Sequence, residues 1–113
     1  MKDSIYIILL NYHGFNDTIE CIHSLMKLEH VDFRIVVVDN SDTQDEFNKL
    51  IRFANQQCYT SLSFNAEQSI AYENEKLVLI KSNVNKGFAH GNNIGIRFSM
   101  QQPNCKFLWI LNN

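Results

Sequence analysis

Polar residues collect directly behind four apolar runs of this 113-residue chain. Asn11, Tyr12, His13 and Gly14 follow the run Ile5 to Leu10. Asp39, Asn40, Ser41 and Asp42 close the run that begins at Phe33. Ser82 closes the run Lys76 to Ser82, and Asn83, Asn85, Lys86 and Gly87 come after it. Asn112 and Asn113 follow the run Lys106 to Leu111. Brought together, such residues suit a nucleotide. Tyr12 offers a face for a base to stack on. Asp39 is an acceptor-only carboxylate, able to take a pyrimidine N–H or a ribose hydroxyl. Lys86 sets a positive charge near a phosphate or a base carbonyl. Each has a plainer use as well: Asp39 with Asn40 and Ser41 as a helix cap, Tyr12 as a half-buried packing residue, Lys86 as a surface lysine.

The segment NVNKGFAHGNNIGI (Asn83 to Ile96) places Gly87, Gly91 and Gly95 four residues apart. At helical spacing they share one face. A glycine inside a helix costs about 1 kcal/mol against alanine, so a close backbone approach is expected in return, to the sheet or to a ligand. No GxGxxG follows the first run and no GxxxxGK[ST] occurs, so the dinucleotide and P-loop fingerprints are both absent. His13, His23, His30 and His90 have no metal-ligand spacing and read as surface or capping residues. A Ser41, His13 and Asp39 triad lacks the GxSxG elbow that would support it. Cys21, Cys58 and Cys105 are far apart, form no CxxC, and read as reduced thiols of a cytoplasmic protein.

Strands and helices must position these groups. Each apolar run is nearly continuous rather than alternating, which suits strands buried on both faces of a parallel sheet. Asp17 with Glu20 three residues on predicts a capping box opening a first helix, with Ile19, Ile22, Leu25 or Met26, and Leu28 on its inner face. A second helix is predicted over 43–56, with Phe47, Leu50, Ile51 and Ala54 inward. A third follows Gly87, carrying Phe88, Ile94, Ile96, Phe98 and Met100, and ends before Pro103. Residues 58–75 leave a strand pair, a short helix and a loop all open. Alternating strands and helices predict one α/β domain over residues 1–113, an open and mostly parallel, Rossmann-like sheet with helices on both faces.

Composition excludes several classes. A net charge of -2 and no basic cluster argue against nucleic acid or anionic lipid as a partner. No segment approaches the roughly 18 apolar residues of a transmembrane helix. The run Ile5 to Leu10 is short and lacks a signal-peptide cleavage site.

Four motifs in order, IILLNYHGFNDTIECIHSL, IVVVDNSD, NVNKGFAHGNNIGI and FLWILNN, cover nearly the whole chain. In them it resembles the N-terminal half of a family 2 glycosyltransferase of the GT-A fold, closest in character to the rhamnosyltransferase-like group of bacterial surface polysaccharide synthesis. The resemblance implies a donor site for a nucleotide-diphosphate sugar of the UDP or dTDP type. Asn11 and Tyr12 would lie at the base, Asp39 and Asn40 at the base-contacting strand end, and Lys86 and Gly87 in the loop near the nucleotide. Asn93 matches the Asn of an ARN-like stretch, with Asn92 in place of its Arg. Asn112 and Asn113 match the first two positions of a DxD-like motif whose final Asp binds Mg²⁺ or Mn²⁺. That Asp and the catalytic base would fall after residue 113, so the resemblance implies a truncated, donor-binding half, inactive alone and open to homodimerisation through uncovered faces. It also implies a cytoplasmic parent, peripheral to the inner membrane. The alternative is a non-catalytic nucleotide-binding or regulatory α/β module. A receiver-like signalling domain would need an acidic pair after the first strand, where this chain has NYHG.

Overall fold

Eight elements follow one another in the computed structural model, which describes residues 2–83 and 87–111. They are β1 (Ser4–Asn11), α1 (Phe15–Met26), β2 (Phe33–Asp39), α2 (Asp45–Gln56), β3 (Ser61–Asn65), β4 (Leu77–Lys81), α3 (Phe88–Met100) and β5 (Cys105–Leu111). The strands form one wholly parallel sheet in the order β3-β4-β2-β1-β5. The fold is the open α/β sheet with helices on both faces that the apolar runs predict.

Side-chain parity divides the core into two layers. Ile7, Leu9, Ile35, Val37, Leu77 and Leu79 face α1 and α2, where Ile22, Leu25, Phe47, Leu50 and Phe53 meet them. Tyr6, Ile8, Val36, Val38, Val78 and Ile80 face the other way, toward Ile94, Ile96 and Phe98 of α3. The central strands are apolar throughout because both of their faces are covered. The chain moves outward from β1 through helices on one face. It returns from β3 and β4 over the opposite face, which keeps every crossover right-handed.

Four local expectations change. The Asp17–Glu20 capping box does not open α1, because the helix begins at Phe15 with Gly14 as its N-cap, and Gly14 makes no side-chain cap. Glu46 of α2 does this work from across the layer, its Oε1 accepting from Phe15 N at 3.1 Å. The inner stripe of α3 is small and polar, namely Gly91, Asn92, Gly95 and Ser99, while Phe88 and Met100 are exposed. Gly87 is the N-cap of α3 with φ +93°, outside the helix whose face it was expected to share. β5 is not buried on both faces: Lys106 to Ile110 are all exposed. It is an edge strand, and the helices center on β1, β2 and β4, so little reaches over it.

The open segment 58–75 resolves into the edge strand β3 followed by an irregular return to β4. Arg34 holds that return. Its Nε donates to Asn74 O at 3.2 Å and Asn74 Oδ1 at 3.0 Å, and its Nη1 donates to Asp32 Oδ1 at 3.2 Å. Tyr72 is tied in beside it, its hydroxyl donating to Glu75 O at 2.9 Å and lying 3.5 Å from the Tyr6 hydroxyl. Tyr6 in turn donates to Asn104 Oδ1 at 2.7 Å.

Burial first, then the Tyr6 hydrogen bond, pushes the Tyr72 phenol far above its ordinary value of 10.0. Burial likewise raises Tyr6, against the opposing effect of its hydrogen bonds. The fold thus keeps neutral two phenols that ionise in the unfolded chain near pH 10. Their contribution is complete below that pH and is lost as pH rises through it toward the folded values. Tyr72→Phe is therefore expected to cost about 1 kcal/mol at neutral pH and to flatten the loss of stability above pH 10. Urea titrations at a series of alkaline pH values measure both effects.

Candidate functional site

Register aligns the strand tips. Asn11 pairs with Asp39, Asp39 with Lys81, and Lys81 with Asn65, so four polar residues form one row across β1, β2, β4 and β3. The ladder runs one step further, with Asn40 N donating to Asn11 O at 2.8 Å and Ser82 N to Asp39 O at 2.9 Å. Parity points Asn11, Asp39 and Lys81 to the α1/α2 face, below the first turns of both helices.

There they form a closed polar network. Asp39 Oδ1 accepts from Asn11 Nδ2 at 3.0 Å, from Ser41 N at 3.2 Å and from Ser41 Oγ at 2.7 Å. Asp39 Oδ2 pairs with Lys81 Nζ at 3.1 Å. Lys81 Nζ also donates to Ser41 O at 2.7 Å and Thr43 O at 3.1 Å, completing the three donors of an ammonium. Thr18 Oγ1 donates to Asn11 Oδ1 at 2.6 Å, and Asn11 Nδ2 also reaches Glu46 Oε1 at 3.3 Å. Asp39 is wholly buried. Every group it holds is therefore fixed in place: the β1 tip by Asn11, the β2–α2 loop by Ser41, and the β4 tip by Lys81.

Above the network lies an open rim. Tyr12 is 52% exposed, its ring edge-on to His13 with centroids 4.7 Å apart. His13 takes a left-handed φ of +50°. Its N–H donates to Ser41 Oγ at 2.9 Å, and its Nε2 lies 3.5 Å from Asp42 Oδ2. The β1–α1 turn is thus laced to the β2–α2 loop. On the α3 face, Asn40 Nδ2 donates to Gly87 O at 3.3 Å. A cleft of about 210 Å³ opens between Tyr12, Gly14, Asp17, Phe88 and Leu111.

The loops leaving β1 and β2 go to helices on one face, and those leaving β3 and β4 go to the other. The change falls between β2 and β4. In open α/β sheets ligands bind at such a switch, outside the carboxyl ends of the strands. Asp39 and Lys81 end the two strands that flank it, with their side chains buried under α1 and α2. A larger hollow of about 580 Å³ lies elsewhere, between the 66–72 segment and α3, and shares no lining residue with the Tyr12 cleft. Its walls are mainly neutral side chains, whereas the tip carries the fixed polar groups, so the tip is the stronger candidate.

Of the residues singled out in the sequence, the fold gathers Asn11, Tyr12, Asp39, Asn40 and Gly87 at this end of the sheet. Asn93 points to solvent from α3 and lines neither hollow, while its neighbor Asn92 is the one turned inward. Lys86, Asn112 and Asn113 lie outside the described residues. Lys81, Glu46 and Thr18 were missed. Lys81 had a legible signal, a lone charge ending the run LVLIK, whereas Glu46 and Thr18 sit on helix turns whose direction no local pattern reveals.

Among the described residues no cluster of three or more His, Cys, Asp or Glu side chains could hold a metal. Asn112 and Asn113, the part of the metal motif that this sequence contains, lie outside the described residues, and no chemical step is assigned to a metal. No helix among the described residues is long and apolar enough to cross a membrane. No protein-family model and no curated protein matches this chain in sequence, so its likeness to family 2 glycosyltransferases stands on the four motifs alone.

Proposed function

We propose that this chain is the donor-binding part of a glycosyltransferase and holds a pyrimidine nucleotide diphosphate, of the UDP or dTDP type, at the β1, β2 and β4 tips. The observation that carries this is the in-register row Asn11–Asp39–Lys81 at the switch point, with an exposed Tyr12 above it. A base stacks on Tyr12. The backbone and side chains of the tip loops, held from below by Asp39, give it polar contacts. Asp39 itself reaches a base N–H only if Asn11, Ser41 or Lys81 yields an oxygen to it. Lys86 and Gly87 take the phosphate side. Free thiols at Cys21, Cys58 and Cys105 fit a reducing, cytoplasmic setting. In the parent reaction the sugar passes to an acceptor hydroxyl that a base deprotonates. The residues described here bind and orient the donor.

A binding-only module is the second reading. It is favored by the commitment of Asp39, Lys81 and Glu46 to partners inside the fold, which leaves them unsuited to proton transfer.

Calorimetric titration with UDP, dTDP, GDP and ADP, each with and without Mn²⁺, tests the proposal. Uridine or thymidine diphosphate is expected to bind in preference to the purines. Tyr12→Ala is expected to weaken binding about tenfold, since stacking a base on an aromatic ring is worth ~1–3 kcal/mol. Equal affinity for all four nucleotides, or none, overturns it. Sugar transfer by the purified chain would exclude the binding-only reading.

A further inference from the structure

We propose that the trough between α1 and α2 is a second ligand site, for a small organic anion with a flat apolar body and one carboxylate or phosphate group. The trough encloses about 430 Å³ and shares no lining residue with the Tyr12 cleft. That volume falls within the ~300–1,000 Å³ of small-molecule pockets. Phe15, Ile19 and His23 line one side at intervals of four, so they stand on one flank of α1. Lys49, Arg52, Phe53 and Gln56 line the other, three and four residues apart along α2. From Phe15 to His23 the trough runs for about 12 Å of helix rise. Its floor is apolar: Phe15 and Ile19 pack against the core layer under the two helices, and Phe53 belongs to that layer. The His23 ring stands edge-on to Phe53, with centroids 5.1 Å apart. A flat body packs on such rings by offset or edge contact.

The charge of the walls selects the occupant. Among the described residues no carboxylate side chain lines the trough, although the chain has twelve acidic residues against ten basic ones. Lys49 Nζ lies 5.9 Å from the centroid of Phe15 and shares its charge with Glu46 Oε2 at 3.7 Å. Arg52 is exposed and, among the described residues, makes no hydrogen bond or ion pair. A planar guanidinium free of partners, at the rim of an apolar trough, can take a carboxylate or a phosphate through two parallel N–H donors. Gln56 and Gln57 add carboxamide donors beside it. The anionic group therefore belongs at Arg52 and Lys49, and the apolar body on Phe15, Ile19 and Phe53. A protein partner is too large for this site, since a standard interface covers ~800 Å² on each side.

Heteronuclear NMR of the purified chain, titrated with naphthoate, naphthyl phosphate and the uncharged naphthamide, tests this. At least one of the two anions is expected to shift the amides of α1 and α2 around the trough, and the tighter of them identifies the head group. Naphthamide is expected to bind about tenfold more weakly, the loss of a hydrogen-bonded charge. Arg52→Glu is expected to weaken anion binding about tenfold or more. Arg52→Lys falls between it and the parent chain, because lysine keeps the charge and loses the fork. Arg97→Glu makes the same change of charge on α3 and is expected to leave binding as it is. Both arginines are exposed, so the circular dichroism spectra are expected to match that of the parent chain. Binding of neither anion overturns the proposal. So do equal affinity for naphthamide, equal losses in Arg52→Glu and Arg97→Glu, or displacement of the anion by UDP.

Discussion

Lys81→Ala is expected to destabilize the fold by about 3–5 kcal/mol, the loss typical when one partner of a buried ion pair is removed. Lys81 and Asp39 are both buried, 3.1 Å apart, and each ends an apolar strand, β4 and β2 respectively. Truncating the lysine leaves a carboxylate in a site with no access to water. It also strips donors from Ser41 O and Thr43 O, which anchor the start of the β2–α2 loop. The cost belongs to the orphaned charge and not to the pair itself. Asp39→Asn combined with Lys81→Met is therefore expected to recover most of the loss, because the remaining amide still serves Ser41 and the methionine fills the space. Urea unfolding of Asp39→Asn, Lys81→Met and the double variant measures this as a cycle, with Lys81→Ala beside it. Additive single losses would show that the two residues do not act as a pair.

Gly95→Ala is expected to destabilize by about 1–2 kcal/mol, and Gly91→Ala to be close to neutral, although the second clash is shorter. A Cβ on Gly91 would come within 2.4 Å of Leu10 Cδ1, the far end of a flexible, partly exposed side chain. Leu10 can turn aside, and the helix regains about 1 kcal/mol of propensity. A Cβ on Gly95 would meet Ile8 Cγ2 at 2.8 Å and Val38 Cγ2 at 3.3 Å. Both are fully buried and branched at Cβ, so χ1 is stiff. The helix must then move off the sheet, at the ~1–3 kcal/mol typical of overpacking, only partly offset by propensity. Thermal unfolding of both variants tests the contrast. A larger loss at Gly91 would mean that contact distance governs, not the stiffness of the neighbor. The close approach expected of the spaced glycines is thus, at Gly91 and Gly95, an approach to the sheet.

The apolar runs by themselves determined the α/β class, the strands β1, β2, β4 and β5, and the polar residues at their ends. A run such as FRIVVVD can bury both faces only between helices, and polar groups follow it wherever it reaches water. Tertiary structure decided the rest. A local run does not say whether a strand is central or at an edge, so KFLWIL reads as buried and yet stands exposed once the sheet order places it last. Nor does the end of a run say which layer its final residue enters. Parity with Leu9, Val37 and Leu79 turns Asn11, Asp39 and Lys81 under α1 and α2, where Glu46 and Thr18 complete a network that joins residues 7 to 42 positions apart. Contacts of that range depend on the register of three strands and the seating of two helices, which only the assembled sheet supplies.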